Sequence, residues 1–159
     1  MTTKTTDLCD EFGDKAKVFA PLFKDLGGKA DMAGRAVTVK CFEDNSRIKE
    51  LSAEAGDGRI LVVDGGGSDR CALLGDVIAL DLVKNGWGGV LIYGYVRDAA
   101  VLRGLPIAIK ALGASPRKSV KRSEGQVGIA LTFAGQTVID GDQLYGDDDG
   151  VVILNKPLA

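Results

Sequence analysis

Residues 60–98 read ILVVDGGGSDRCALLGDVIALDLVKNGWGGVLIYGYVRD, and this stretch decides the fold. It holds two short, uninterrupted apolar runs, at 60–63 and 90–93, which predict strands buried on both faces, as in a parallel sheet. Between them, residues 75–85 predict a helix that ends before Gly86, a residue type favoured just after a helix. The order strand, helix, strand predicts an α/β layer with parallel strands.

The flanking sequence extends this layer. Further helices are predicted after Thr6 and Asp7 toward residue 23, with breaks near Gly13 and Pro21, over 46–53, and from Arg97 and Asp98 onward. Further strands are predicted at 35–42, 107–112, 127–133, 137–139 and 151–154. Because no helix separates the last three strands, we expect them to be antiparallel. The predicted fold class is therefore α/β, a compact mixed β/β/α domain over residues 1–159 with central parallel strands and antiparallel C-terminal strands.

Composition excludes several classes of function. The chain has 159 residues, 45% hydrophobic and 26% charged, as in one globular domain. Its net charge of -2 argues against a nucleic-acid-binding protein. It has no histidine, which excludes histidine-based catalysis and histidine-ligated zinc. The three cysteines are odd in number and far apart, and no run approaches the roughly 18 apolar residues of a membrane span. We therefore expect a cytoplasmic protein with reduced thiols.

In a parallel layer, ligands bind beyond the carboxyl ends of the strands. The loop over 64–74 leads there into a helix N-terminus at Gly75, Asp76, Val77 and Ile78. Backbone N–H groups of a first helical turn have no partner within the helix and carry partial positive charge. They form either a cradle for a carboxylate or phosphate, or simply a capped helix start.

The loop after the second strand carries Arg97 and Asp98. A guanidinium matches a carboxylate and stabilises a developing oxyanion, and an aspartate binds hard divalent cations. The alternative is an ordinary surface helix start with a local ion pair. If the two strands are neighbours, Asp76 and Asp98 flank one small anion with Arg97 between them, which suits metal-assisted enolate chemistry.

Two charged clusters lie outside these loops. Arg117, Lys118, Lys121 and Arg122 have no aromatic residues among them, and we interpret them as a solvated face. Residues 147–149 are three aspartates before the last strand, which predicts an acidic turn.

Six segments together resemble one protein family. They are VTVKCFEDNS (37–46), LVVDGGGS (61–68), LLGDVIA (73–79), NGWGGVLIYGYVRD (85–98), IAIKALGASPRKS (107–119) and YGDDDGVVIL (145–154). In order and spacing they resemble the family of the regulator of ribonuclease activity A and the class II 4-hydroxy-4-methyl-2-oxoglutarate aldolases. The resemblance implies a swivelling-domain-like β/β/α fold and a homotrimer with sites at subunit junctions.

The resemblance also implies roles for individual residues. The enzyme branch carries an aspartate, twenty intervening residues and then Arg-Asp, which Asp76, Arg97 and Asp98 match. By resemblance, the amides of Gly75, Asp76, Val77 and Ile78 hold the carboxylate of the substrate. Arg97 binds the substrate and stabilises a pyruvate enolate. Asp98 holds Mg²⁺ or Mn²⁺, partly through water, and Asp76 positions either a metal-bound water or the proton-transfer path.

We therefore expect a divalent-metal-dependent lyase that acts on a small 2-keto acid. The expected activity is 4-hydroxy-4-methyl-2-oxoglutarate aldolase, oxaloacetate decarboxylase, or both. Residues 99–103 lack the further acid that some aldolases carry, which affects aldol cleavage more than decarboxylation. The alternative is a non-catalytic regulator that binds and inhibits a ribonuclease.

Overall fold

The computed structural model describes residues 3–155, which form a large mixed sheet, a separate two-stranded sheet and four α-helices. The helices are α1 (Thr5–Phe12), α2 (Ser46–Ser52), α3 (Asp76–Lys84) and α4 (Ala99–Leu102). The strands are β1 (Lys17–Val18), β2 (Lys24–Asp25), β3 (Met32–Lys40), β4 (Ile60–Asp64), β5 (Ala72–Leu74), β6 (Gly89–Val96), β7 (Ile109–Ala114), β8 (Gln126–Val127), β9 (Leu131–Phe133), β10 (Gln136–Val138), β11 (Gln143–Asp147) and β12 (Gly150–Leu154). No helix in the described range is long and apolar enough to cross a membrane.

The centre of the large sheet is parallel and its margins are antiparallel. Strands β3, β4, β6 and β7 are parallel neighbours. Strands β11, β12 and β1 continue the sheet beyond β3 in antiparallel pairs, and β2 closes the other edge. The predicted mixed β/β/α class, with parallel centre and antiparallel C-terminal strands, is confirmed.

Both faces of the central strands are buried, which explains their uninterrupted apolar sequences. Successive side chains of a strand point to opposite faces. In β4, Leu61 and Val63 join a core beneath α2, α3 and α4, whereas Ile60 and Val62 join a core beneath the β9–β10 hairpin. Helix α3 lies on the sheet through Ile78, Ala79 and Leu82, its buried side chains.

The predicted boundaries of helices and strands were wrong where a segment pairs with a strand that is far away in sequence. The first helix ends at Phe12, at the break predicted near Gly13, but it does not continue toward residue 23, because the chain then forms the two-residue strands β1 and β2. Strand β11 was not predicted, and β6 runs through Gly94 to Val96 instead of stopping at residue 93. The two-residue strands β1 and β2 are too short to show a periodic pattern, and their partners lie far away in sequence.

A buried carboxylate joins α2 to the segment that leads to β8. Asp44 is 2% exposed and accepts hydrogen bonds from the Ser46 amide (2.8 Å), the Ser46 hydroxyl (2.6 Å), the Arg122 amide (2.6 Å) and the Glu124 amide (3.3 Å). Burial by itself raises the pKa of Asp44, but the hydrogen bonds outweigh it and lower the pKa to about 2. The ionised form is therefore part of the folded structure.

We predict that Asp44→Asn destabilises the protein near neutral pH by about 1–3 kcal/mol, because the new amide leaves backbone donors without a charged acceptor. In wild type, the pKa is about 2 when folded, against about 3.9 when unfolded. The contribution of Asp44 is therefore complete above pH 4 and is lost as the pH falls toward 2.

The measurement is the free energy of unfolding in urea at pH 7 and pH 3. Between these values, wild type should lose more stability than Asp44→Asn, whereas the exposed Asp10→Asn should behave like wild type. An equal loss in wild type and Asp44→Asn contradicts the assignment.

Candidate functional site

Strand β5 brings the two ligand-binding loops together. The first part of β6 pairs with β4 as far as Tyr93 opposite Asp64. Beyond that point β5 takes the place of β4, with Leu74 opposite Val96, and the Arg97 amide donates to the Leu74 carbonyl at 2.8 Å. The prediction of an uninterrupted loop over 64–74 was therefore wrong. Because Gly75 and Arg97 each follow a paired residue, they leave the sheet side by side.

Asp98 lies against the N-terminus of α3. Its Oδ2 accepts the Asp76 amide at 3.0 Å, while Gly75, the N-cap residue, provides no side-chain cap. Asp98 caps the helix from another loop, which a negative charge favours at this end. Its backbone is left-handed (φ 60°, ψ 41°), a conformation that aspartate tolerates better than most residues. The predicted short helix begins after it, at Ala99.

Gly75 is needed for this contact for steric reasons. Its backbone (φ -134°, ψ -163°) has an extended conformation that any residue can adopt. A Cβ atom at this position would lie 2.8 Å from Asp98 Oδ2 and 3.3 Å from Arg97 Nε. The absence of a side chain therefore lets Arg97 and Asp98 pack against the start of α3.

These elements line a pocket of about 220 Å³, to which Gly75, Asp76, Val77, Ile78 and Arg97 all contribute. The structure thus places five of the six predicted site residues in one pocket wall. Asp98 is not itself in that wall but is hydrogen bonded to it through the Asp76 amide.

The amide cradle is smaller than the sequence suggested. Asp98 already accepts the N–H group of Asp76. The first N–H group of α3 to donate to a carbonyl of the preceding turn is that of Ala79, which donates to the Gly75 carbonyl. The N–H groups of Val77 and Ile78 have no acceptor within residues 3–155. They are the donors left for an anion at this helix start.

A second wall of the pocket was missed by the sequence analysis as a site. It comprises Asn45, Lys49, Lys118, Ser119 and Lys121. Lys118 and Lys121 belong to the basic cluster that we interpreted as a solvated face, and they are indeed exposed. Lys118 lies in a segment that carries the family resemblance, but its sequence position does not show that it reaches this pocket, because the course of the chain after β7 decides that.

The pocket is strongly positive. Its lining includes four cations, Arg97, Lys49, Lys118 and Lys121, and a single carboxylate, that of Asp76. Within the described part of the chain, none of these cations takes part in an ion pair. A cleft lined by one sign of charge attracts ligands of the opposite sign. The chemistry of the pocket therefore favours an anion with more than one negative group.

A larger cleft of about 820 Å³ adjoins this pocket and shares Lys118 with it. It is lined by Phe42, Arg70 and Arg117, among others, and contains neither the α3 N-terminus nor Arg97. We assign the chemistry to the smaller pocket, because only there do unpaired helix amides and a guanidinium converge.

The carboxylates present fit a cation held jointly by protein, water and substrate. Residues 3–155 contain no group of three acidic, cysteine or histidine side chains arranged to hold a metal. Mg²⁺ commonly binds through one or two carboxylates and completes its shell with water and substrate oxygens. Asp98 commits one oxygen to the Asp76 amide and keeps the other. It is therefore the candidate ligand, with Asp76 beside it.

The chain is similar over almost its whole length to a protein family, to named relatives and to solved structures. The family model for RraA-like proteins, described as Aldolase/RraA, matches residues 5–153. A protein of Alkalilimnicola ehrlichii provisionally named 4-hydroxy-4-methyl-2-oxoglutarate aldolase is 51% identical, over 100% of this chain and 99% of its own.

Two solved structures have the same fold, each with a TM-score of 0.96 and 42% identity. The RNA-processing inhibitor RraA from Thermus thermophilis matches over 100% of this chain and 96% of its own. A protein of Geobacillus kaustophilus described as an S-adenosylmethionine: 2-dimethylmenaquinone methyltransferase matches over 98% and 97%. The resemblance seen in the sequence is confirmed.

We predict that Gly75→Ala weakens the binding of a small dicarboxylate by at least about tenfold, because the methyl group displaces Arg97 and Asp98 from the α3 N-terminus. The measurement is calorimetric titration of oxalate in buffer with Mg²⁺. The matched control is Gly104→Ala, whose methyl group would meet only the Val101 carbonyl oxygen, at 3.5 Å. Equal affinity in Gly75→Ala and wild type would count against this site.

Proposed function

Since the chain belongs to the RraA-like family of aldolase and RraA proteins, we propose that it is a divalent-metal-dependent lyase that cleaves a carbon–carbon bond of a 2-keto acid and releases pyruvate. The substrates proposed are 4-hydroxy-4-methyl-2-oxoglutarate, by aldol cleavage, and oxaloacetate, by decarboxylation. The observation that carries this proposal is the convergence of the α3 amides and Arg97 on one positive pocket, with Asp98 at its margin.

The α3 N-terminus and Arg97 bind the pyruvyl half of the substrate. The Val77 and Ile78 amides donate to its carboxylate, with the partial positive charge of the helix start behind them. The Arg97 guanidinium lies next to Gly75 and faces the same pocket. Together they fix the keto acid in one orientation and place positive charge near its keto oxygen.

Bond cleavage leaves an electron pair on the carbon next to the keto group. In aldol cleavage, the 4-hydroxyl group transfers its proton to a water molecule and becomes a carbonyl as the bond breaks; in decarboxylation, carbon dioxide leaves. The charge spreads to the keto oxygen as an enolate, which Arg97 stabilises. A water molecule positioned by Asp76 returns a proton to carbon and gives pyruvate. A bound Mg²⁺ or Mn²⁺, held by Asp98, would supply further Lewis-acid stabilisation of that oxygen.

The residues after Asp98 favour decarboxylation over aldol cleavage. Helix α4 comprises Ala99, Ala100, Val101 and Leu102, with no acid or base among them. Aldol cleavage needs a group to take the hydroxyl proton, whereas decarboxylation needs only a proton donor to carbon. We therefore propose that oxaloacetate decarboxylation is the activity to detect first.

We also propose a homotrimer, as the resemblance implies. Three apolar side chains of α3 and α4 are exposed: Val77 (65%), which lines the pocket, Leu80 (50%) and Val101 (47%). Exposed apolar groups that form one patch are typical of surfaces covered by a partner.

The second candidate is a regulator that binds a ribonuclease, acting by contact rather than by turnover. It is favoured by the 42% identity to the Thermus protein described as an RNA-processing inhibitor. Such a protein has no use for unpaired cations around an amide cradle. Pyruvate release from oxaloacetate, compared with Mg²⁺ and with a chelator, separates the two. No metal-dependent release above the uncatalysed rate favours the regulator.

We predict that Asp98→Asn lowers kcat/KM by at least about 100-fold and weakens the response to Mg²⁺, because it removes the charge that holds the cation. The amide oxygen of asparagine can still accept the Asp76 N–H, so the helix cap survives. The measurements are pyruvate release over a range of Mg²⁺ concentrations and thermal unfolding. Asp98→Ala removes cap and charge together and should also lower the melting temperature. Full activity in Asp98→Asn would refute the metal assignment.

A further inference from the structure

The chain between β7 and β8, residues 115–125, forms a strap in which the structure shows no helix or strand. Lys118, Ser119 and Lys121 of this strap line the smaller pocket, and its two lysines are half of the four cations there. A segment without a ladder of hydrogen bonds of its own takes its course from bonds to neighbouring segments. The places where the strap is attached therefore decide whether these lysines reach the pocket.

The strap is attached first to β5. The Ala72 amide donates to the Arg117 carbonyl at 2.7 Å, and Ala72 forms an isolated parallel bridge with Lys118. On the same strand, the Leu74 carbonyl accepts the Arg97 amide. Backbone bonds on a single short strand thus fix the start of the strap relative to Arg97 and the α3 N-terminus.

The strap is attached again near its end, by side chains at the start of α2. Asp44 Oδ2 accepts the amides of Arg122 (2.6 Å) and Glu124 (3.3 Å). Ser46 Oγ accepts the Ser123 amide at 3.2 Å, and the same hydroxyl donates to Asp44 Oδ1 at 2.6 Å. Neither Asp44 nor Ser46 lines the smaller pocket. A substitution at either residue can therefore loosen the strap without removing a group that faces the ligand.

Asp44 is the strongest of the groups that hold this end of the strap. Apart from the serine, the contacts are a 3.3 Å bond from the Val120 amide to the Glu43 carbonyl and a bond from Arg47 to the Ser123 carbonyl. Asp44 is the only carboxylate among the acceptors, is 2% exposed and takes two amides of the strap. Hydrogen bonds to a charged acceptor are stronger than neutral ones, and a low local dielectric strengthens them further.

The charge of the strap makes a firm attachment necessary. Lys118 and Lys121 are exposed and, like Arg97 and Lys49, form no ion pair within the described residues. Like charges that share one pocket repel each other, and long side chains lose conformational freedom when they are confined. Without Asp44, the strap would relieve both costs by moving away from the pocket.

We propose that Asp44 is a positioning residue, which holds the strap so that Lys118 and Lys121 stay in the smaller pocket and bind the anionic ligand. This inference rests on the proposed function for the identity of the ligand as a substrate, whereas the attachment of the strap is independent of it. The lysines contribute to binding, and the groups proposed to react, Arg97 and Asp98, lie on the other side of the pocket. Loss of Asp44 should therefore weaken binding and leave the chemical step nearly unchanged.

Asp44→Asn is the first test, because asparagine keeps one acceptor oxygen and replaces the other with an NH₂ group, which cannot accept a bond. The KM for oxaloacetate should rise about tenfold and kcat should change less than about twofold, because binding alone is lost. The matched control is Asp142→Asn, which alters a buried carboxylate (8% exposed) that accepts the Ile139 amide at 2.9 Å, outside both clefts. The control should lower the melting temperature without changing KM. An unchanged KM in Asp44→Asn overturns the inference.

A double-mutant comparison tests whether Asp44 acts through the lysines. Lys118→Met combined with Lys121→Met should weaken the calorimetric binding of oxalate in buffer with Mg²⁺. Adding Asp44→Asn to this pair should weaken binding no further, because the groups that Asp44 positions are already absent. A further loss as large as that in the wild-type background means that Asp44 affects the pocket by another route, and the positioning role is wrong.

Limited digestion with trypsin tests the attachment without any catalytic activity. The strap carries four cleavage sites, at Arg117, Lys118, Lys121 and Arg122. In folded protein, cleavage within 117–122, measured by mass spectrometry, should be about tenfold faster in Asp44→Asn than in wild type, because it follows local opening of the strap. Ser46→Ala, a milder change that removes the acceptor of the Ser123 amide, should also speed cleavage. Asp142→Asn should not.

The proposed function and this inference fail in different ways. If wild type shows no turnover, but Asp44→Asn speeds cleavage of the strap and weakens oxalate binding, the lyase function is wrong and the positioning role stands. If wild type turns over oxaloacetate, but cleavage within 117–122 is equally slow in wild type, Asp44→Asn and Ser46→Ala, the positioning role is overturned and the lyase function stands.

Discussion

The parallel pairing of β5 with the end of β6 is the interaction on which the site depends. It replaces β4 at the point where the chain reaches Gly65, and it links the Leu74 carbonyl to the Arg97 amide. Without it, the α3 N-terminus and the Arg97 loop would follow different strands with no fixed separation. Two paired residues of β5, Ala72 and Leu74, thus bring two loops of the same sheet edge into one wall. Catalytic groups need this kind of fixed geometry.

Asp98 caps α3, and under the proposed function it also holds the cation. Its left-handed backbone and the bare Cα of Gly75 let one carboxylate oxygen cap α3, while the other stays available. The same contact removes the Asp76 amide from the anion cradle, so the helix start offers fewer donors than its sequence suggests. A carboxylate positioned by a helix amide is held in place before any cation or substrate arrives, which lowers the cost of binding.

The pocket compensates for the lack of histidine by placing several fixed cations around a few amides. Four cationic side chains and one carboxylate line it, so its field selects for anions and stabilises negative charge that develops on them. The neighbouring wall adds polar atoms that the protein itself does not satisfy.

The sequence alone determined the elements that rest on local patterns. The apolar runs of β4 and β6 required burial on both faces, and the chain could meet that requirement only in a parallel layer covered on each side. The same reasoning placed Gly75 and Arg97 at one edge of the sheet. The tertiary structure decided what depends on partners remote in sequence: β5, β11, the bond from Asp76 to Asp98, and the presence of Asn45 and Ser119 in one pocket wall. Side-chain periodicity records which face of an element is buried, but it carries no information about which distant residue lies against it.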